Sequence, residues 1–276
     1  MNYRYASAKK EFTFRSDSPL SNEAMAHYAP SVIADQAHES RGERYTFIPT
    51  IKVIEGLRKE GFEPYEVRQT KTRDVGKREH TRHMVRMRHR DLIGTLSEVP
   101  EIILLNSHDG TSSYQLLAGY FRFVCSNGLI AGSVSTDVKV RHSGDVVDSV
   151  IEGSYEVVSN LEALDARKEQ YKAITLAPSE QLVLAEAASQ LKWEDKAPVS
   201  PIQLLRPRRS SDYGSDLFTV YNRVQENLIQ GGLRGHATTG RRTTTRAVGG
   251  VNENVKLNRS LWELTERMAQ IKLAAA

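Results

Sequence analysis

The chain has 276 residues but only one cysteine, Cys125, so no disulfide can close within it. A lone thiol in an apolar setting suits a reducing compartment and reads as a small buried hydrophobe rather than a nucleophile. No apolar run approaches the roughly 20 residues of a membrane-spanning helix. Met1 to Lys10 lacks the apolar core of a signal peptide. These absences point to a cytoplasmic protein with no membrane partner. Walker and dinucleotide-binding patterns are missing, as are H-E-x-x-H and paired C-x-x-C, so no cofactor and no metal are expected. No internal repeat is visible. One further absence is local: Gly231 to Gly250 contains no acidic residue.

The pattern that remains predicts an α+β fold, a mostly antiparallel sheet with helices in residues 1–143 followed by a helical part in residues 144–276, packed as one unit. Ile102 to Leu105 is short, apolar and preceded by Pro100, which reads as a buried strand. Asn106 to Thr111 is then a cluster of turn formers around Asp109-Gly110. Strands are expected at Tyr45–Ile48, Phe62–Thr72, His80–Arg90, Ser113–Tyr120 and Asp137–His142. Helices are expected after a Ser21 or Asn22 cap, over Thr50–Glu60, from Val147 through Leu164 with a break near Gly153, and over Pro178–Trp193. The proline-bearing segment Lys196–Asp212 reads as a long loop. Leu217, Tyr221, Val224 and Leu228 form one helical seam, and Leu257, Leu261, Leu264, Met268 and Ile271 form another. They are expected to pack on each other or on the sheet, with a seam between copies as the alternative, so a homo-oligomer stays open.

The net charge of +4 is small, and its distribution carries more information than its sum. Lys71, Arg73, Lys77, Arg78, Arg82, Arg86, Arg88 and Arg90 crowd one segment against only Asp74 and Glu79. Strand alternation puts Arg82, Met84, Arg86, Arg88 and Arg90 on one face, with side chains about 7 Å apart. That spacing matches successive phosphates, each of which an arginine can hold bidentately. Tyr45 and Tyr65 are expected to offer stacking surfaces to bases. The competing reading is a solvated strand face balanced by carboxylates from elsewhere. Arg234, Arg241, Arg242 and Arg246 form a second group within the acid-free Gly/Thr-rich stretch. It reads as a basic loop that orders on binding phosphate, or as a flexible loop with no partner.

Two further readings stand beside nucleic-acid binding. His108, Asp109 and His142 could serve a hydrolase or nuclease if they converge, although adjacent Ser107, His108 and Asp109 cannot form a triad among themselves. The structural alternative is that Ser107 to Thr111 makes turn and capping hydrogen bonds. The third reading is an anti-defence protein that binds a host protein through its basic surface.

Several segments carry a resemblance: Tyr45–Thr50, Gln69–Arg73, His83–Arg88, Leu105–Ser112, Phe121–Leu129, Val140–Gly144, Tyr221–Asn227 and Asn258–Trp262. Together they resemble the phage- and plasmid-associated family called domain of unknown function 932, over most of the chain from Tyr45 onward. The resemblance implies a bacterial cytosolic protein of prophages, plasmids and other mobile elements, and it carries over no catalytic residue. The expectation of single-stranded DNA binding, in replication or recombination, rests on the arginines instead. Single-strand annealing recombinases offer an analogy, since they too join a hairpin-rich sheet to helices and a basic groove, but fold alone does not give function.

Overall fold

The apolar run Ile102–Leu105 lies inside strand β4 (Glu98–Asn106), and every residue of that strand is buried. In the computed structural model, which describes residues 12–93, 98–123, 127–131, 138–140 and 147–274, β4 is central. It pairs antiparallel with β3 (His83–His89) on one side and β5 (Tyr114–Arg122) on the other. Beyond β3 come β2 (Phe62–Gln69) and the short strand β1 (Thr13–Arg15). Beyond β5 the sheet order continues to β6 (Asn127–Ile130), and β7 (Val138–Val140) also pairs with β5. Helix α1 (Asn22–Tyr28) starts at Ser21, whose Oγ accepts from the Ala24 amide at 3.2 Å. Helix α2 (Thr50–Lys59) buries Val53, Ile54 and Leu57.

The two faces of this sheet are held differently. On one, His83 Nε2 lies 2.8 Å from the Thr50 hydroxyl. Asn106 Nδ2 donates to the same hydroxyl at 3.0 Å and to the Ile48 carbonyl at 3.2 Å. The start of α2 is thereby tied to β3 and β4 by polar groups that are buried but partnered. The segment Tyr45–Ile48, expected as a strand, is irregular. Its polar groups bond to β4 and the following turn rather than to a ladder, Tyr45 Oη donating to the Ser107 carbonyl at 2.9 Å.

The other face carries charge. Glu101 on β4 accepts from Arg86 Nη1 at 2.5 Å and from Arg88 Nε at 2.8 Å. The side chains of both arginines are only 1% exposed, and that of Glu101 is fully buried. Glu66 on β2, in register with Arg86, accepts from Arg15 Nε at 2.7 Å and also pairs with Arg68. Burial alone would raise the Glu66 carboxyl; Arg15, Arg68 and Arg86 overcome it and hold that carboxyl well below the usual range. The Arg88 guanidinium carbon lies 3.5 Å from the Phe121 ring centroid and 4.8 Å from that of Tyr65. Arg88 Nη2, buried without a hydrogen-bond acceptor, has these aromatic faces as its neighbours.

The chain divides into two compact units, residues 1–128 with 136–161 and residues 129–135 with 162–276. Helix α3 (Val147–Ala173) contributes to both units and runs unbroken through Gly153. The second unit continues with α4 (Pro178–Trp193), the one-turn α5 (Pro201–Leu204), α6 (Leu217–Gln230) and α7 (Val251–Ala274). Helix α6 buries Leu217, Tyr221, Val224 and Leu228, as the seam predicts. On α7 the buried stripe is rotated from the expected one. Leu257 and Leu261 are buried, but Ile271 is 64% exposed, and Asn254, Asn258 and Thr265 lie inside. These polar residues enter the core because they are bonded: Gln225 Nε2 donates to Asn258 Oδ1 at 2.7 Å, and Thr265 Oγ1 donates to the Leu261 carbonyl at 2.8 Å. Tyr221 meets Trp262 edge-on, with ring centroids 5.8 Å apart.

Two expectations follow for the first unit. Glu101→Ala leaves two guanidiniums buried that cannot shed their charge, and should destabilise the protein by about 3–5 kcal/mol in urea unfolding. Replacing Glu101, Arg86 and Arg88 together by Leu, Met and Met should recover most of that loss; an effect of Glu101→Ala below about 1 kcal/mol would contradict the assignment. The second concerns pH. Burial pushes the His83 imidazole down to about 4, against 6.5 when exposed, with the Thr81 carbonyl opposing and Arg82 assisting. The unfolded chain then takes up this proton first on acidification. The stability contributed by neutral His83 is complete above pH 6.5 and declines as the pH falls toward 4, by roughly 3 kcal/mol in all. His83→Gln should flatten that part of the stability–pH profile between pH 7.5 and 4.5; an unchanged slope would refute it.

Candidate nucleic-acid interface

The sequence places eight basic residues between Lys71 and Arg90, and the structure sorts them into separate environments. Arg86 and Arg88 are interior and paired with Glu101, so they are withdrawn as phosphate contacts. The alternation that put them on one face holds, but that face is covered, and its carboxylates come from β2 and β4. Tyr65 is buried beside Arg88, and the Tyr45 hydroxyl is engaged with Ser107, so neither is an open stacking surface as expected. Arg82 is half-buried at the entry to β3. Arg90 is exposed, with Nη2 donating to the Arg58 carbonyl at 3.1 Å. Lys71, Arg73, Lys77 and Arg78 are exposed on the loop joining β2 to β3. Phe12 underlies two of them, with Lys71 Nζ 5.6 Å and the Arg78 guanidinium carbon 5.1 Å from its ring centroid. Asp74 in that loop accepts from the Gly76 amide at 3.0 Å and so holds the turn.

The second basic group has more structure than its sequence implies. Between α6 and α7 the chain forms a hairpin of two three-residue strands, β8 (Arg234–His236) and β9 (Arg242–Thr244). Arg234 pairs with Thr244 and His236 with Arg242. Alternation puts these four residues on one exposed face, with Gly235 and Thr243 on the other. Gly235 faces the body of its unit, and a Cβ there would come within 1.8 Å of the Pro198 carbonyl oxygen. The His236 amide donates to that same oxygen at 2.8 Å. Gln203 Nε2 donates to the Arg234 carbonyl at 3.1 Å. Behind the hairpin, Asn227 on α6 donates to the Leu204 and Arg206 carbonyls at 2.9 and 3.0 Å. Its Oδ1 accepts from Arg208 Nε at 2.8 Å, and Arg208 Nη2 reaches the Gly231 carbonyl at 2.5 Å. The segment Pro198–Arg208 and the hairpin are thus fastened to one another and to α6. Sequence reasoning missed His236, Thr244, Asn227 and Arg208; the β-branched run Thr243 to Thr245 after the Gly240 turn was the available signal for the strand.

Arg234, Arg241, Arg242 and Arg246 are all exposed, and none has an ion-pair partner among the described residues. The arrangement presents several cations on a short rigid ribbon with no carboxylate interleaved. Such a ribbon attracts a polyanion and can hold phosphates bidentately.

The residues of the enzymatic reading are placed otherwise. His108 is buried, 4.7 Å from the Phe47 ring and 5.1 Å from the His83 ring between centroids. Its amide donates to the His80 carbonyl at 2.8 Å, and its carbonyl accepts from the His38 amide at 3.0 Å. Asp109 Oδ1 accepts from the Thr111 amide at 3.0 Å and hydroxyl at 2.5 Å. Ser107 Oγ accepts from the Ser112 amide at 3.0 Å. These are the turn and capping bonds of the structural alternative. His142 and Cys125 lie outside the described residues. Among the described residues no group of three or more His, Cys, Asp or Glu is arranged to hold a metal ion, and no helix is long and apolar enough to cross a membrane.

Two proteins of Escherichia coli (strain K12), UPF0380 protein YafZ and UPF0380 protein YfjQ, are each 50% identical to this chain over 255 residues, covering 92% of it and 93% of the relative. No solved structure matches. The model of the family described as Domain of unknown function (DUF932) matches residues 37–262, and the chain belongs to that family.

Proposed function

We propose that this protein binds nucleic acid without catalysis, with single-stranded DNA as its ligand, in the replication or recombination of mobile elements. The observation that carries the reading is the set of four exposed arginines on and beside the β8–β9 hairpin, with no ion-pair partner among the described residues and no acidic residue in the sequence between Gly231 and Gly250. Natural surfaces usually intersperse charges of both signs. A ribbon kept free of carboxylates and pinned to its unit through Gly235 and Gln203 suits a polyanionic partner. The loop of Lys71, Arg73, Lys77 and Arg78 supplies a second exposed basic segment on the other unit. The mobile-element setting rests on the family resemblance. The preference for an unpaired strand rests on the partly exposed, apolar Pro198 beside the hairpin, which offers a base somewhere to lie.

The decisive measurement is affinity across a salt series for single- and double-stranded DNA and for RNA. Affinity for single-stranded DNA should fall steeply with salt and exceed that for the duplex. Replacing Arg234, Arg241, Arg242 and Arg246 by Ala should weaken binding and reduce the slope of log affinity against log salt by about 3, from four lost phosphate contacts. Because these side chains are exposed and unpaired, the melting temperature should stay near that of the parent. A variant that binds with the parent's affinity and slope sinks the reading. A host-protein complex that survives nuclease treatment, with no salt-dependent affinity for nucleic acid, would favour the anti-defence alternative.

A further inference from the structure

Beside the hairpin lies a cavity of about 600 Å³. Sites for small ligands range over about 300–1,000 Å³. Its walls are chemically unlike. The hairpin contributes from both its faces, Arg234, His236 and Arg242 from one and Gly235 and Thr243 from the other; the rest comes from Pro198, Ser200 and the largely buried Val199. Among the described residues no acidic side chain lines it. The walls are bonded together by the His236 amide on the Pro198 carbonyl and by Gln203 on the Arg234 carbonyl, so the slot exists before any ligand arrives.

Ladder geometry makes Arg234 and Arg242 diagonal neighbours, because Arg234 faces Thr244 and His236 faces Arg242. Diagonal positions stand about 7–8 Å apart, and two guanidiniums so placed can converge on one phosphate. A complementary ligand is anionic at one end and flat and apolar at the other. We propose that this slot takes one nucleotide of a bound strand, its phosphate between Arg234 and Arg242 and its base against the partly exposed Pro198. The inference rests on the nucleic-acid-binding reading and names a subsite within it.

The test uses the full chain and thymidine 5′-monophosphate as probe, followed by titration calorimetry. The mononucleotide should bind, with thymidine and inorganic phosphate each weaker by about tenfold or more, since each lacks one half of the complement. A 5′-phosphorylated thymidine tetranucleotide should bind more tightly than the mononucleotide; equal or weaker binding overturns the assignment to a strand rather than to a free nucleotide. Ser200→Trp fills the slot while leaving every arginine in place. It should lower mononucleotide affinity about tenfold or more. Arg242→Ala, at an exposed position, should lower mononucleotide affinity by a similar factor. Melting curves of both variants confirm that they fold. If the mononucleotide does not bind, or binds both folded variants as it binds the parent, the slot is refuted. Salt-dependent binding of long DNA that persists in that case leaves the broader reading standing, and its absence removes both.

Discussion

Glu101 grips two arginines of the neighbouring strand at once, and the sheet of the first unit is arranged around that grip. A guanidinium cannot neutralise itself by losing a proton, so two of them inside a protein demand a carboxylate at fixed distance. Glu101 meets the demand only when β3 and β4 pair in the observed register, with Arg88 opposite Glu101. The same face continues outward, since Arg86 stands opposite Glu66 and Glu66 receives Arg15 from the edge strand. A line of alternating charge thereby crosses β1 to β4. An apolar face of equal volume would bury as well, but it would tolerate neighbouring registers more readily. Here a slip by one residue would turn every charge to the other face and separate each from its partner.

The arginines of this chain therefore serve two unlike purposes. Those on β1 to β3 are paired, shielded and lodged among Phe121 and Tyr65. Those of the hairpin are exposed, with no ion-pair partner among the described residues. Net charge does not distinguish the two populations; the position of the carboxylates does. Glu66 and Glu101 lie far along the chain from some of the arginines they hold, whereas the stretch around the hairpin contains no carboxylate.

Much of the architecture was legible from local pattern. The turn chemistry of Asn106 to Thr111, the Ser21 cap and the extents of α2 and α4 all follow from residues adjacent in sequence. What stayed hidden depended on distant partners. Alternation tells that Arg86 and Arg88 share a side of β3, not whether that side is covered. Asn254, Asn258 and Thr265 look like solvent residues until Gln225 and the backbone carbonyls of α7 are in place. The β8–β9 strands have three residues each, too few for period-two alternation to stand out. In the candidate interface, the composition of the basic stretch was legible, but its shape was not, because that shape is fixed by Pro198, Gln203 and Asn227.

Gly235 carries a consequence beyond its fit against Pro198. Each hairpin strand presents one side to the body and the other to solvent, and both arginines of the two strands lie on the solvent side. Because the position pressed against Pro198 has no room for a side chain, β8 can dock in only one phase. Shifting the strand by one place would drive Arg234 or His236 into the Pro198 carbonyl. The orientation of the hairpin's arginines is therefore decided by the one residue of β8 that has no side chain to present.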